Sequence, residues 1–238
     1  MARGWPDFTR PVVGIKPEVI AVSQAAQPYI WFRDDFESST LKWGYSGGSI
    51  SRDTTAGSSG VGSPVYSGDA CLKITADGAL SFATAFRSVA LPTMEKKIGI
   101  SNFIYWETDS DFEDSENAIM PIAVKFYTGS KMYDARVSYN PNNGKWYVST
   151  SVGSMDQLVA TKKLKNNAHH FVKLVLDMDN KKYYSLQVDG EIFDISSYSI
   201  ANQTDTSAVH LYVFVYITKA EDKTPSIYVD EFTITGYG

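Results

Sequence analysis

Carboxylate side chains are concentrated in one short stretch of the sequence. The six acidic residues between positions 107 and 116 are Glu107, Asp109, Asp111, Glu113, Asp114 and Glu116. Clustered carboxylates are hard oxygen ligands of the kind that Ca²⁺ prefers. They also repel one another, which favours an extended and solvated chain. From these residues we predict an acidic surface loop, with a calcium site as the alternative.

Aromatic side chains form the second group that could bind a ligand. Residues 209–217 alternate between an aliphatic face and a face that carries His210, Tyr212, Phe214 and Tyr216. We take as candidates for one ligand-binding face Tyr105, Tyr139, Trp146, Tyr147, His210, Tyr212 and Tyr216. Aromatic rings stack on the apolar C–H faces of sugars, and Tyr and Trp also anchor protein interfaces. The remaining alternative is that these rings fill a second layer of the core.

Several other chemistries have no support in the sequence. There is no Gly-x-Ser-x-Gly motif for a serine nucleophile, and Cys71 lies between Ala70 and Leu72 as a small buried side chain would. One cysteine and three histidines do not make a Cys/His zinc site. No glycine-rich phosphate loop stands between a strand and a helix. We therefore predict no catalytic residues and no enzymatic activity.

The overall charge excludes two classes of partner. The 238 residues include 22 basic and 27 acidic side chains, which gives a formal net charge of -5. A chain of this balance does not attract nucleic acid or an anionic membrane. No stretch is apolar for long enough to span a membrane, and the N-terminus does not resemble a secretory signal. We expect synthesis in the cytosol.

Residues 1–28 differ in composition from the rest and are predicted to form an extended docking arm. Four of the nine prolines lie here, and each removes a backbone donor and interrupts regular pairing. The segment is too apolar to remain in water. Its assembly residues are predicted to be Trp5, Phe8, Val12, Val13, Ile15, Val19 and Ile20. They require a cover, either the chain's own domain or a neighbouring subunit.

Residues 29–238 are predicted to form one all-β domain, because short alternating segments are separated by turn residues. Predicted core faces include 122, 124 and 126, then 172, 174 and 176, and then Tyr184, Leu186 and Val188. Tight turns are expected at 140–144, 179–180 and 189–190, where Asn, Asp and Gly cluster. The Gly-rich stretch from Gly44 to Gly68 indicates a surface loop or an irregular sheet edge.

Three passages resemble a known superfamily. They are DDFESSTLKW at 34–43 with YSGDACLKI at 66–74, HHFVKLVLDMD at 169–179 with YYSLQVDG at 183–190, and YVDEFTITG at 228–236. They are similar to concanavalin-A-like and laminin-G-like jelly-roll domains, including carbohydrate-binding modules. The resemblance implies two antiparallel sheets packed face to face as a β-sandwich, with the first and last strands adjacent. It does not cover residues 1–28.

The resemblance also implies two possible sites. Related carbohydrate-binding modules often hold a structural calcium, which here would involve Asp35, Glu37, Asp69 and Asp230. Some members are glycoside hydrolases with acidic residues at i, i+2 and i+4 of one strand, a spacing that Glu107, Asp109 and Asp111 share. Asp111 departs from that pattern, which ends in Glu.

We carry two hypotheses for the function. The first is a structural or decorating subunit of a large assembly such as a virus or phage particle. In it the arm docks on neighbouring subunits and the sandwich faces outward at the particle surface, so the chain would be oligomeric or bound to the assembly. The second is a carbohydrate-binding, lectin-like module. A glycoside hydrolase is a third alternative.

Overall fold

The computed structural model describes residues 29–54, 63–89 and 96–237. Over these ranges the chain forms two antiparallel sheets of eight strands each. Sheet A contains β1 (Tyr29–Asp34), β3 (Ser49–Asp53), β4 (Cys71–Thr75), β6 (Lys97–Trp106), β11 (His170–Asp177), β12 (Lys182–Val188), β13 (Glu191–Asp194) and β16 (Ser226–Tyr237). Its strand order is β13-β12-β11-β6-β16-β4-β3, and β1 also pairs with β16.

Sheet B contains β2 (Gly44–Ser46), β5 (Phe82–Val89), β7 (Ile119–Tyr127), β8 (Lys131–Asn140), β9 (Lys145–Val148), β10 (Gln157–Thr161), β14 (Ala201–Thr204) and β15 (His210–Thr218). Its order is β10-β9-β8-β7-β15-β5-β2, and β14 also pairs with β8. No helix in the described ranges is long and apolar enough to cross a membrane. The architecture is an all-β sandwich, as predicted.

The core lies between the two sheets. In β11 of sheet A, Val172, Leu174 and Leu176 are buried, and in β15 of sheet B the buried side chains include Leu211 and Val213. All of these belong to one hydrophobic cluster. Because side chains alternate along a strand, every second residue of the same strands points away from this core, to an outer face of the sandwich.

The first and last described strands are adjacent, as the resemblance implied. Strand β1 pairs antiparallel with β16, the last strand, with Tyr29 opposite Gly236 and Asp34 opposite Phe232. The glycine at 236 has a packing reason, because a Cβ there would come within 2.6 Å of the Trp31 indole nitrogen.

The predicted turns are confirmed. Asp189 and Gly190 both adopt positive φ, 48° and 83°, between β12 and β13. This pair of left-handed residues is what a two-residue hairpin turn requires. Residues 140–144 join β8 to β9, and Gly144 at their end has a φ of 73°.

One predicted core face, that of Tyr184, Leu186 and Val188, is wrong at Tyr184. The register of β12 against β11 shifts at Tyr184, since Val175 pairs with Ser185 but Leu176 pairs with Tyr183. The extra residue of a bulge reverses which side chains face inward. Tyr183 is therefore fully buried, whereas Tyr184 is 45% exposed.

The Gly-rich stretch from 44 to 68 contributes edges to both sheets. Strand β2 is the last strand on one side of sheet B and β3 is the last on one side of sheet A. The prediction of an irregular sheet edge is confirmed for residues 44–53, and residues 55–62 lie outside the described ranges.

Candidate functional site

The outer face of sheet B carries a row of aromatic side chains on its two adjacent strands β15 and β5. Phe214 pairs with Phe86, and Thr218 pairs with Phe82. Partners in an antiparallel register point to the same side of a sheet. Since Leu211, Val213 and Ile217 point into the core, the alternate residues of β15 point outward. We call this set the aromatic face, and its members are Phe82, Phe86, Tyr212, Phe214 and Tyr216.

The rings of the aromatic face pack on one another. The Phe86 and Tyr212 rings are stacked with centroids 5.4 Å apart, and the Phe82 and Tyr216 rings are stacked at 5.5 Å. Phe214 lies 6.1 Å from Tyr212. Positions 212 and 216 are about 13 Å apart along an extended strand. The five rings therefore form an aromatic strip of two stacked pairs, with Phe214, which is only 7% exposed, beside Tyr212.

Gly44 on the edge strand β2 leaves room for this strip. Gly44 is the register partner of Phe86, and a Cβ at position 44 would lie 2.4 Å from the Phe86 ring. A side chain at position 44 would push the Phe86 ring from its place.

Charged side chains border the strip on the neighbouring strands β7 and β8. The Arg136 guanidinium donates two hydrogen bonds to Asp134, from Nε at 2.8 Å and from an Nη at 2.6 Å. The Asp134 side chain is fully buried and that of Arg136 is only 13% exposed. The Arg136 guanidinium lies 5.6 Å from the Phe214 ring centroid, and Lys125 Nζ lies 5.9 Å from it. The Asp134 carboxylate thus holds a guanidinium at the border of the aromatic strip.

The tyrosines of the aromatic face carry neutral hydroxyls. Burial raises the pKa of Tyr212, and burial together with the negative charge of Glu113 raises the pKa of Tyr216. Both hydroxyls remain protonated at neutral pH. They can donate and accept hydrogen bonds, but they are poor catalytic bases.

The seven aromatic residues predicted as one ligand face divide among three places. Tyr147, His210, Tyr212 and Tyr216 lie on the outer side of sheet B, where His210 stacks on the Tyr127 ring at 4.2 Å. The structure corrects the prediction for Tyr139 and Trp146, which are fully buried in the core, with their ring centroids 4.7 Å apart. Tyr105 lies on β6 of sheet A, where its ring packs on Tyr228.

The acidic segment 107–116 is not a strand, which removes the basis for the hydrolase spacing. Strand β6 ends at Trp106, and Asp109–Asp111 form a short 3₁₀ turn. The Asp109 carboxylate accepts hydrogen bonds from the Trp106 indole at 2.7 Å and from Lys163 Nζ at 2.9 Å. These two hydrogen bonds therefore fix Asp109 within the loop. Glu107 and Asp111 line a pocket of about 130 Å³ with Lys73 and Tyr228.

Three of the four acids predicted to bind calcium, Asp35, Glu37 and Asp230, accept hydrogen bonds from backbone amides. Asp230 accepts the Tyr66 and Ser67 amides, each at 3.0 Å. Glu37 accepts the Asp69 amide at 2.8 Å, and Asp35 accepts that of Glu37 at 3.3 Å. Among the described residues, no three His, Cys, Asp or Glu side chains converge as metal ligands would. The predicted set does not come together, and calcium binding stays a prediction without an assigned set of ligands.

Asp230 is the acid whose environment perturbs it most clearly. Burial raises its pKa to about 6, despite the hydrogen bonds that it accepts from the Ser67, Glu231 and Tyr66 amides. These contacts fasten residues 66 and 67 to β16, from which Asp230 projects.

Sequence reasoning missed Phe82, Phe86, Lys125, Asp134 and Arg136. An available signal was the two-residue spacing of Asp134 and Arg136, which places both on one side of a strand. The assembly residues of the arm, from Trp5 to Ile20, lie outside the described ranges, which begin at residue 29.

No protein-family model and no curated protein matches this chain. Solved structures do match this chain. A carbohydrate esterase, vb_24B_21, from the Shiga toxin-encoding bacteriophage phi24B is 12% identical over 89% of this chain and 100% of its own, with a TM-score of 0.55. The cellulose induced protein Cip1 is 16% identical over 85% of this chain and 96% of its own, with a TM-score of 0.53. Peanut lectin is 11% identical over 88% of this chain and 97% of its own, with a TM-score of 0.50.

At these identities the similarities show the fold. The chain has the concanavalin-A-like jelly-roll fold that these structures share.

Proposed function

We propose that this protein binds carbohydrate through the aromatic face of sheet B. The observation that carries the proposal is the two stacked pairs of aromatic rings, which two strands place on an outer face with a guanidinium and an ammonium group at its border. A pyranose presents apolar C–H faces and a rim of hydroxyl groups. It therefore needs a flat apolar surface beside polar groups, which is the general composition of small-molecule sites.

The polar border suits hydroxyl groups. Two N–H groups of Arg136 are used by Asp134, which leaves the other guanidinium donors available to a ligand. The carboxylate fixes the guanidinium, so little side-chain entropy remains to be lost on binding. Lys125 adds a flexible ammonium donor on the neighbouring strand.

We propose a binding role without catalysis. The tyrosine hydroxyls of the face are neutral. The negative charge of Asp134 is balanced by its ion pair with Arg136. The acids whose spacing suggested glycoside hydrolysis lie in the loop after β6, and one of them is held by Trp106 and Lys163. Proteins with this fold include both kinds, since peanut lectin is a lectin and the phage protein is a carbohydrate esterase.

The test is a glycan array probed with the full-length chain, in calcium and again in chelator. We expect saturable binding that Tyr212→Ala and Tyr216→Ala each weaken by a stacking contribution of about 0.5 to 1.5 kcal/mol. Loss of binding in chelator would in addition support the predicted structural calcium. Trp146→Ala does not serve as a test, because its ring is in the core.

Tyr45→Ala is the matched control. Tyr45 is 58% exposed, and its register partner is Ala85, whose side chain points to the core side of sheet B. Its removal should leave binding unchanged. Equal binding by the Tyr212, Tyr216 and Tyr45 variants to every glycan found would exclude the aromatic face as the site.

The decorating-subunit hypothesis depends on residues 1–28 and is compatible with a glycan-binding sandwich displayed at a particle surface. Deletion of residues 1–28 should abolish incorporation into the assembly and leave glycan binding intact, because the aromatic face lies on β5 (Phe82–Val89) and β15 (His210–Thr218). Incorporation of the truncated chain would refute the docking role of the arm.

A further inference from the structure

A pocket separate from the aromatic face lies on sheet A, where β12 pairs with the edge strand β13. Its volume is about 420 Å³, and the residues that line it are Tyr184, Ser185, Ile192, Asp194 and Ser196. None of them belongs to the aromatic face of sheet B. The volume lies within the range of pockets that hold small organic ligands.

Two large apolar side chains are exposed in this pocket. Tyr184 is 45% exposed and Ile192 is 67% exposed. The bulge in β12 turns Tyr184 outward, and the register of β13 places Ile192 opposite Gln187 on the side of the sheet away from the core residue Leu186. The two apolar groups therefore line one pocket together.

The Tyr184 ring is held in place from one side. Lys97 Nζ lies 3.6 Å from the ring centroid, although Lys97 is not among the residues that line the pocket. A cation this close to the ring face restrains the side chain through a cation–π contact.

Polar groups surround the apolar pair. Ser185 and Asp194 are register partners across β12 and β13 and so point to the same side. The Ser196 amide donates to Asp194 Oδ1 at 2.9 Å, which orients the carboxylate. Hydrogen bonds from the Ser196 amide and hydroxyl lower the pKa of Asp194, so this acceptor is ionised at neutral pH.

We propose that this pocket is a second saccharide subsite, in which a pyranose ring packs on Tyr184 and Ile192 while its hydroxyls bond to Asp194, Ser185 and Ser196. A stable protein interface buries about 800 Å² and about 20 to 30 residues on each side, whereas five residues line this pocket. A protein partner therefore fits less well. A fixed ring, one aliphatic side chain, two hydroxyls and a carboxylate match a single sugar. Because the pocket opens on sheet A and the aromatic face on sheet B, one chain would hold two glycans on opposite sides.

The experiment uses the full-length chain with isotope-labelled isoleucine methyl groups, followed by NMR. The probes are the methyl glycosides of glucose, galactose, mannose and N-acetylglucosamine, each titrated separately. We expect at least one to shift the Ile192 methyl signal saturably. Tyr184→Ala and Asp194→Ala should each weaken that affinity about 2- to 10-fold, and Tyr45→Ala should leave it unchanged.

Three results would overturn the proposal. The first is an Ile192 signal that no probe shifts, or that shifts linearly without saturation. The second is a saturable shift that survives Tyr184→Ala. The third is a shift that follows protein concentration in the absence of sugar, since a second copy of the chain would then occupy the pocket. Tyr212→Ala should not affect the Ile192 response, so the two sites can fail separately.

Discussion

The Tyr183 hydroxyl closes a gap in the hydrogen bonding of sheet B, and its removal should be costly. Strand β14 pairs with β8 only as far as Asp134, and β9 pairs with it from Val137 onward. The Arg136 amide lies between these two ladders. Tyr183, which comes from sheet A and is fully buried, accepts that amide at 3.0 Å and donates to the Ser149 carbonyl at 2.8 Å.

Tyr183→Phe keeps the ring and deletes only the hydroxyl, so no large cavity is created. A buried donor left without a partner costs about 1 to 3 kcal/mol, and the Ser149 carbonyl loses a donor as well. We expect the free energy of unfolding to fall by about 2 to 3 kcal/mol. For a chain of this length that corresponds to a decrease in Tm of roughly 5 to 10 °C.

Equilibrium unfolding in guanidinium chloride measures the change in free energy. An unaltered m-value would show that only the stability has changed. Tyr184→Phe is the control, because the same atom is removed from the neighbouring, exposed tyrosine, and its effect should stay within about 0.5 kcal/mol. Hydrogen exchange of the Arg136 amide should accelerate in the Tyr183 variant alone. Equal stability of the two variants, with Arg136 still protected, would refute the gap-closing role.

Two further predictions concern the acid on β16 and the glycine beside the aromatic face. The folded pKa of Asp230, about 6, lies above its ordinary value of 3.8, so its contribution to stability is full at low pH and is lost as pH rises through 6. The wild type should therefore gain about 2 to 3 kcal/mol relative to Asp230→Asn between pH 7 and pH 4; parallel stability–pH curves would contradict this. Gly44→Ala should displace the Phe86 ring and weaken glycan binding about 2- to 10-fold, with Ser46→Ala on the same strand as control. Unchanged affinity in Gly44→Ala would show that the Phe86 ring does not contact the ligand.

Several strands and hairpins could be predicted from the sequence because their causes are local. Alternation with a period of two marks a strand with two different faces, as in β7, β11 and β15. Asp189 and Gly190 tolerate positive φ whatever surrounds them, so the hairpin that they form is expected from the residues alone. The prediction that first and last strands are adjacent came from the resemblance and is confirmed by the pairing of β1 with β16.

The position of the candidate site was decided by the tertiary structure. Trp146 and Tyr212 look alike in sequence, each being an aromatic residue in an alternating segment, yet Trp146 is in the core and Tyr212 is outside. Alternation separates two faces but does not say which face the second sheet covers. A bulge of one residue likewise exchanged Tyr183 and Tyr184 between core and surface. Burial depends on the sheet packed opposite and on register, and both arise from contacts between residues distant in sequence.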